Sequence, residues 1–261
     1  MSDANRVDWN AETYHRVSTP QLRWGLEVMS ELSLRGDETV VDAGCGTGRL
    51  TAKLLEKLPR GRVIALDVSE PMLAKARTEL ARFGDQVEFH RVDLGNLQLQ
   101  LEADLIFSTA TFHWIAAHDA LFRGLARLLK PGGKLHAQCG GEGNLSGFLT
   151  LARELSETPP FAAFLSGFAF PTYFADPKSE LTRLDDAGFF EPRAWLRPAP
   201  TPFANADDFR AFIQAVVLRH PLAMLPQKLQ GRFLDEITAR AAPAYSLDYV
   251  RLELRATRSL K

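Results

Sequence analysis

Thr39-Val40-Val41-Asp42-Ala43-Gly44-Cys45-Gly46-Thr47-Gly48-Arg49-Leu50 runs from a β-branched stretch through an acid and three alternate glycines into a helical pattern. The β-branched residues of Thr39–Val41 suit a buried strand. Alternate glycines let the backbone turn tightly and leave no Cβ between the main chain and a ligand. The helix that follows presents unpaired N–H groups at its start. Strand, glycine turn and helix in that order predict an α/β fold with a cradle for an adenosine-containing ligand.

The spacing narrows the ligand. A dinucleotide fingerprint needs Gly-x-Gly-x-x-Gly, and Arg49 stands where its third glycine would fall. A phosphate loop needs Gly-Lys-Ser/Thr, which the stretch lacks. Asp-x-Gly-x-Gly-x-Gly resembles the first motif of class I S-adenosylmethionine-dependent methyltransferases. The resemblance covers roughly residues 37–144, including a Leu-Lys-Pro-Gly-Gly-x-Leu stretch at Leu129–Leu135. It implies a Rossmann-like, doubly wound, seven-stranded and mostly parallel sheet whose last strand is antiparallel. The implied cofactor is S-adenosyl-L-methionine, with S-adenosyl-L-homocysteine as product, and Asp42, Gly44, Cys45 and Gly46 are its expected first contacts.

Further strands carry further contacts. Arg62–Leu66 is a buried strand, and Asp67, about twenty residues past the glycine turn, can accept both ribose hydroxyls. Ser69 caps a helix with Pro71 in its first turn. Val68 and Met72 are expected to sandwich the adenine. Gln86–Val92 alternates as a third strand and ends at Asp93-Leu94; the resemblance gives these two the adenine amino group and ring face. Ala103–Phe107, closed by Ser108, is the fourth strand, and the methyl donor is expected at its end.

The acceptor side is read from two aromatic stretches. Phe112-His113-Trp114 follows the fourth strand, and Tyr14, Ser18 and Gln21 precede the sheet. Both resemble the methyltransferase group that includes trans-aconitate, biotin-pathway and juvenile-hormone-acid enzymes, in which an N-terminal segment closes over the cofactor. Gln21 and Trp114 are hydrogen-bond donors. A carboxylate is ionised at neutral pH and needs no general base, so two donors without an evident base favour O-methylation of a carboxylate. The alternatives are N- or C-methylation with His15, His113 or His220 as base, or a non-catalytic S-adenosylmethionine-binding protein. A nicotinamide dehydrogenase is disfavoured by Arg49 and by the lack of a Tyr-x-x-x-Lys pair.

The expected organisation is an N-terminal helical cap (1–36), a cofactor-binding core (37–144), and lid helices with the remaining strands (145–261). In the cap, Leu22, Leu26, Met29 and Leu32 form the stripe of a helix over Gln21–Leu34. Phe161, Phe164, Phe168, Phe170, Tyr173 and Phe174 read as core or lid packing, with Tyr173 a pocket candidate. His220-Pro221 separates two helical stretches, and Tyr249–Ala256 alternates like a half-buried antiparallel edge strand.

Composition excludes several classes. In 261 residues, 46% hydrophobic and 24% charged, the formal charge is −1, so no basic field advertises nucleic acid or an anionic membrane. No run is apolar enough to span a bilayer, and the first residues lack a signal-peptide core. The six histidines show no metal-ligand spacing, so no metal is expected. Two cysteines far apart, Cys45 and Cys139, suit reduced thiols and a cytoplasmic location. The expected partner is a small-molecule acceptor, and the oligomeric state stays open.

Overall fold

A computed structural model describes Ala11, Glu12 and residues 19–260. Strands form where β-branched and apolar side chains run together: β1 (Thr39–Ala43), β2 (Arg62–Asp67), β3 (Val87–Arg91), β4 (Ala103–Thr109), β5 (Leu129–Gly140), β6 (Phe189–Pro198) and β9 (Val250–Arg258). Between the last two lie β7 (Thr201–Pro202) and β8 (Ser246–Leu247), a separate antiparallel ribbon. The seven-stranded sheet has the order β3-β2-β1-β4-β5-β9-β6. The pairs β1–β2, β2–β3, β1–β4 and β4–β5 are parallel, and β5–β9 is antiparallel. The mostly parallel, doubly wound fold with an antiparallel last strand is borne out. Winding reverses between β1 and β4, and the carboxyl ends of strands at such a switch point form a ligand crevice.

Two compact units make up the chain. The larger (19–142, 172–197 and 251–260 among the described residues) contains the sheet. Its helices are α1 (Thr19–Ser30), α2 (Arg49–Glu56), α3 (Glu70–Leu80), α4 (His118–Leu128) and, later in the chain, α7 (Pro177–Asp186). Leu54, Leu55 and Leu58 from α2 and its exit, and Leu121, Phe122, Leu125, Leu128 and Leu129 around α4, are buried. The Lys130–Gly133 turn is taken up within β5, where the register with β4 shifts between Ala103 and Leu105.

Two expectations are corrected in this unit. The buried face of α1 is Gln21, Trp24, Gly25, Val28 and Met29, and Leu26 is 41% exposed. The helix is rolled by its neighbours: the Arg251 guanidinium lies 4.6 Å from the Trp24 ring centre, and a Cβ on Gly25 would meet Leu50 at 2.2 Å. The last strand is no edge. β9 sits between β5 and β6, and Arg251–Ala256 are all buried. Its charged alternate positions, Arg251, Glu253 and Arg255, face a buried polar network instead of water. Arg255 binds Glu31, just past the end of α1, at 2.8 Å, and Arg197 joins Glu27 at 2.7 Å and Glu253 at 3.0 Å. Gln138 donates to Glu253 at 2.8 Å and accepts from Arg251 at 3.2 Å. The true edges are β3 and β6.

The second unit (143–171 and 198–250 among the described residues) holds α5 (Ser146–Ser156), α6 (Ala162–Leu165), α8 (Ala206–Phe212), α9 (Arg219–Met224), α10 (Gln227–Ala241) and the β7–β8 ribbon. Aromatic rings build its core: Phe161 meets Phe233 at 5.0 Å, and Phe209 meets Phe148 at 5.8 Å and Phe203 at 5.5 Å. His220-Pro221 does not separate two long helices. A π turn over Ile213–Val217 follows α8, and both residues lie inside α9.

Candidate active site

Gly44, Gly46 and Gly48 all have positive φ (87°, 54° and 82°), a region that costs other residues dearly. The Gly44 and Cys45 N–H groups donate to Leu66 O at 2.8 and 2.9 Å, strapping the turn to β2. A Cβ on Gly44 would stand 2.1 Å from Thr111 Oγ1, whereas one on Gly46 would meet nothing within 4 Å. The turn is therefore packed from below at Gly44 and open at Gly46.

The Asp67 carboxylate is fixed beside this opening. Its Oδ2 accepts Gly46 N–H and its Oδ1 accepts Ser69 N–H, both at 2.9 Å. Ser69 caps α3 by accepting Met72 N–H at 3.4 Å; Met72 is buried and Val68 half-buried. Asp93 is exposed and accepts Gly95 N–H at 2.8 Å, while Leu94 is buried. Ser108 Oγ donates to Ala43 O at 2.6 Å, tying β4 to β1. Gly44–Gly46, Asp67–Met72, Asp93–Leu94 and Ser108 thus lie at the carboxyl ends of four adjacent strands. An open backbone cradle beside a fixed carboxylate fits an adenosine-containing cofactor. Tyr14, with Ser18 and His15, lies outside the described residues.

Asp42 is buried and accepts Thr51 Oγ1–H at 2.6 Å. Burial, with the negative Asp67 adding to it, pushes its pKa up to about 7 against the opposing Thr51 bond. The folded chain then keeps a proton that the unfolded chain releases near pH 4, so this carboxyl costs stability increasingly as pH rises from about 4 to about 7. Asp42→Asn retains an acceptor for Thr51 and removes the ionisation. In urea unfolding, the variant should gain on wild type by about 4 kcal/mol between pH 4 and 7 and no further above. A difference that stays constant over this range would mean that Asp42 is ionised in the fold throughout. The Cys45 and Cys139 thiols are buried too, and burial raises both pKa values, that of Cys139 to about 12.

A second group gathers at the carboxyl end of β5. His113 is buried, and its Nδ1 accepts Gly140 N–H at 3.2 Å, which leaves the ring hydrogen on Nε2. Burial holds its pKa well below the ordinary histidine range, and the charges of Arg251 and His118 lower it further. His113 is thus a neutral donor and not a base through Nδ1. Trp114 is half-buried with its ring centre 5.1 Å from that of His113, and Phe174 approaches from 6.0 Å. Arg251 pairs opposite Gly140 in the β5–β9 register. Gln21 lies one turn before Trp24 on the same face of α1, is 8% exposed, and its Oε1 finds no hydrogen-bond partner among the described residues. His220 belongs to the second unit; it is half-buried, and burial followed by Arg219 lowers its pKa to about 4. Among the described residues no three His, Cys, Asp or Glu side chains gather as a metal site, and no helix is long and apolar enough to cross a membrane.

Sequence reasoning missed Arg251 and the buried acid Glu180 that pairs with His118. For Arg251 the signal was present: Arg251, Glu253 and Arg255 recur with the period of a strand, but a charged face is ordinarily read as solvated. Glu180 lies in a polar helix and carries no local signal.

Residues 40–133 match the family model described as a methyltransferase domain. Over 251 residues the chain is 31% identical to the trans-aconitate 2-methyltransferase of Methylobacterium nodulans, covering 92% of this chain and 91% of that one. It is 38% identical over 131 residues to the trans-aconitate 2-methyltransferase of Acidovorax ebreus, about half of each chain. The fold resembles that of Haemonchus contortus phosphoethanolamine N-methyltransferase 2 in complex with S-adenosyl-L-methionine. That likeness has a TM-score of 0.62 at 17% identity and covers 98% of this chain and 58% of that one.

Proposed function

The chain belongs to the class I S-adenosylmethionine-dependent methyltransferases, enzymes of small-molecule methylation in the relatives it matches, and we propose that its acceptor is a carboxylate oxygen of a small organic acid. The observation that carries this reading is a pair of donors without a base: His113 offers Nε2–H because its Nδ1 accepts the Gly140 N–H, and Gln21, buried on α1, has an amide oxygen with no hydrogen-bond partner among the described residues. An unsatisfied buried polar group costs about 1–3 kcal/mol, which a bound ligand can offset. The amide's oxygen and nitrogen exchange places by rotation, so this end can present NH₂ to an anion. The identity to trans-aconitate methyltransferases supports the same acceptor class.

S-adenosylmethionine, when bound, supplies a methyl group activated on a sulfonium. Asp67 and the open turn at Gly46 would hold its adenosine part, with Val68, Met72, Asp93 and Leu94 around the adenine. Asp42, Cys45 and Ser108 support the turn from within. Gln21 and His113 would orient the acceptor carboxylate by hydrogen bonds, and the Trp114 ring would wall the site and exclude water. The carboxylate is already ionised, so no residue must remove a proton.

Methyl-ester formation should be measured with labelled S-adenosylmethionine on trans-aconitate and other small carboxylic acids, beside phenols and amines. Gln21→Ala should lower kcat/KM for the acids about 10- to 100-fold, the worth of a hydrogen bond to a charged group. Trp114→Phe should also weaken turnover. Methylation of phenols or amines alone would reject the carboxylate and direct the search to a histidine base.

A further inference from the structure

His118 and Glu180 form a pair at 1% and 0% side-chain exposure, with Nδ1 and Oε2 2.6 Å apart. The other ring nitrogen, Nε2, lies 3.0 Å from Phe112 O. Both nitrogens therefore face oxygens. Nε2 must donate to the carbonyl, and one proton is held between Nδ1 and the Glu180 carboxyl. Arg183 donates to the second oxygen of Glu180 and also approaches Asp119 at 3.7 Å. Tyr173 closes the group: its ring packs on His118 at 5.0 Å, and its backbone N–H donates to His113 O at 2.8 Å.

Buried ion networks are weak evidence for stability, because desolvation offsets much of their attraction and apolar replacements often do as well. This one has a specific geometric target. The segment from Ala110 to Ile115 leaves β4 with Ala110 at φ 54°, a left-handed conformation that strains a non-glycine residue and persists only where the surroundings impose it. Its two consecutive carbonyls, Phe112 O and His113 O, are bound by His118 and by Tyr173. Between them they hold the two peptide groups that flank the His113 side chain.

We infer that Glu180 is a positioning residue, acting through His118 and the Phe112 carbonyl to hold His113 and Trp114 toward the acceptor. This rests on the proposed role of His113 and Trp114. The chain of contacts runs from Arg183 through Glu180 and His118 to the Phe112 carbonyl, whereas the loop meets the glycine turn through Thr111, whose Oγ1 donates to Thr109 O at 2.9 Å and lies 3.4 Å from Gly44 O. Loss of Glu180 should consequently affect the acceptor and spare the cofactor.

The test compares the full-length wild type with Glu180→Gln at a temperature where each binds S-adenosylhomocysteine with the same stoichiometry by calorimetry. The expected result is S-adenosylhomocysteine affinity within about threefold of wild type, kcat on trans-aconitate lowered at least about tenfold, and a raised KM. The ¹⁵N signals of His113 should move from the single tautomer protonated at Nε2 toward a mixture. Unchanged kcat, KM and His113 signals in a folded Glu180→Gln would overturn the inference, as would an equal loss of cofactor and acceptor binding. Should wild type esterify no acid, the carboxylate reading fails separately. The His113 signals then decide: moved, they support the positioning role; unmoved, they overturn it.

Discussion

Asp67→Ala is expected to weaken S-adenosylhomocysteine binding by about 10²- to 10⁴-fold in calorimetry. A carboxylate accepting two hydroxyls forms two charge-assisted hydrogen bonds, each worth about 1.5–3 kcal/mol, and every 1.4 kcal/mol is tenfold in affinity. The loss has a second source. Asp67 Oδ2 accepts the Gly46 N–H and Oδ1 accepts the Ser69 N–H, so the side chain also holds the glycine turn and the start of α3 in register. Asp67→Asn keeps one acceptor oxygen and should fall between the two. An affinity within threefold of wild type in Asp67→Ala would remove this residue from the cofactor site.

Glu253→Ala is expected to cost about 3–5 kcal/mol in urea unfolding, the range for removing one partner of a buried ion pair. Glu253 is buried and receives Gln138 Nε2, two nitrogens of Arg197, and Arg255 Nη2. Its removal leaves Arg255, also buried, with Glu31 as its remaining carboxylate. The contrast is Glu27→Ala, which removes half-exposed pairs with Arg197 and with Arg23 and should cost less than about 1 kcal/mol. The slope of unfolding free energy against urea should stay the same in both, so that the midpoint reports stability alone. A Glu253→Ala midpoint equal to that of Glu27→Ala would show that solvent reaches this network.

The parallel half of the sheet was legible because each strand ends in a local signal. A β-branched or apolar run meets glycines after β1, an acid and a serine cap after β2, and Asp93 after β3. Those residues bond within a few positions of themselves or to the next strand, so the short range of sequence patterns suffices. The roll of α1 was not legible. Its leucines marked one stripe, but the buried face was chosen by Arg251 beneath Trp24 and by Leu50 against Gly25, contacts with distant parts of the chain. The same holds for β9. Its alternation was read correctly and its surroundings were not, since a face of Arg251, Glu253 and Arg255 becomes interior only when the turn after α1 supplies Glu31 and β6 supplies Arg197. For the proposed acceptor site, Gln21, His113 and Trp114 were named from resemblance, whereas the state of His113 depends on the Gly140 N–H, which no local pattern encodes.

Placing β9 inside the sheet leaves β6 to face outward, and its composition then acquires a meaning. An outermost strand offers a row of unused backbone donors and acceptors that can recruit a strand from another molecule and begin aggregation. β6 carries Pro192 and Pro198, which have no N–H to offer, and Glu191 sits at φ 47°, breaking the extended repeat. Arg193 and Arg197 add charge along the same ribbon. The exposed aromatics Phe190 and Trp195 are thereby carried on a strand ill-suited to templating a partner. The border of the sheet is guarded against self-association by the residues that make it irregular.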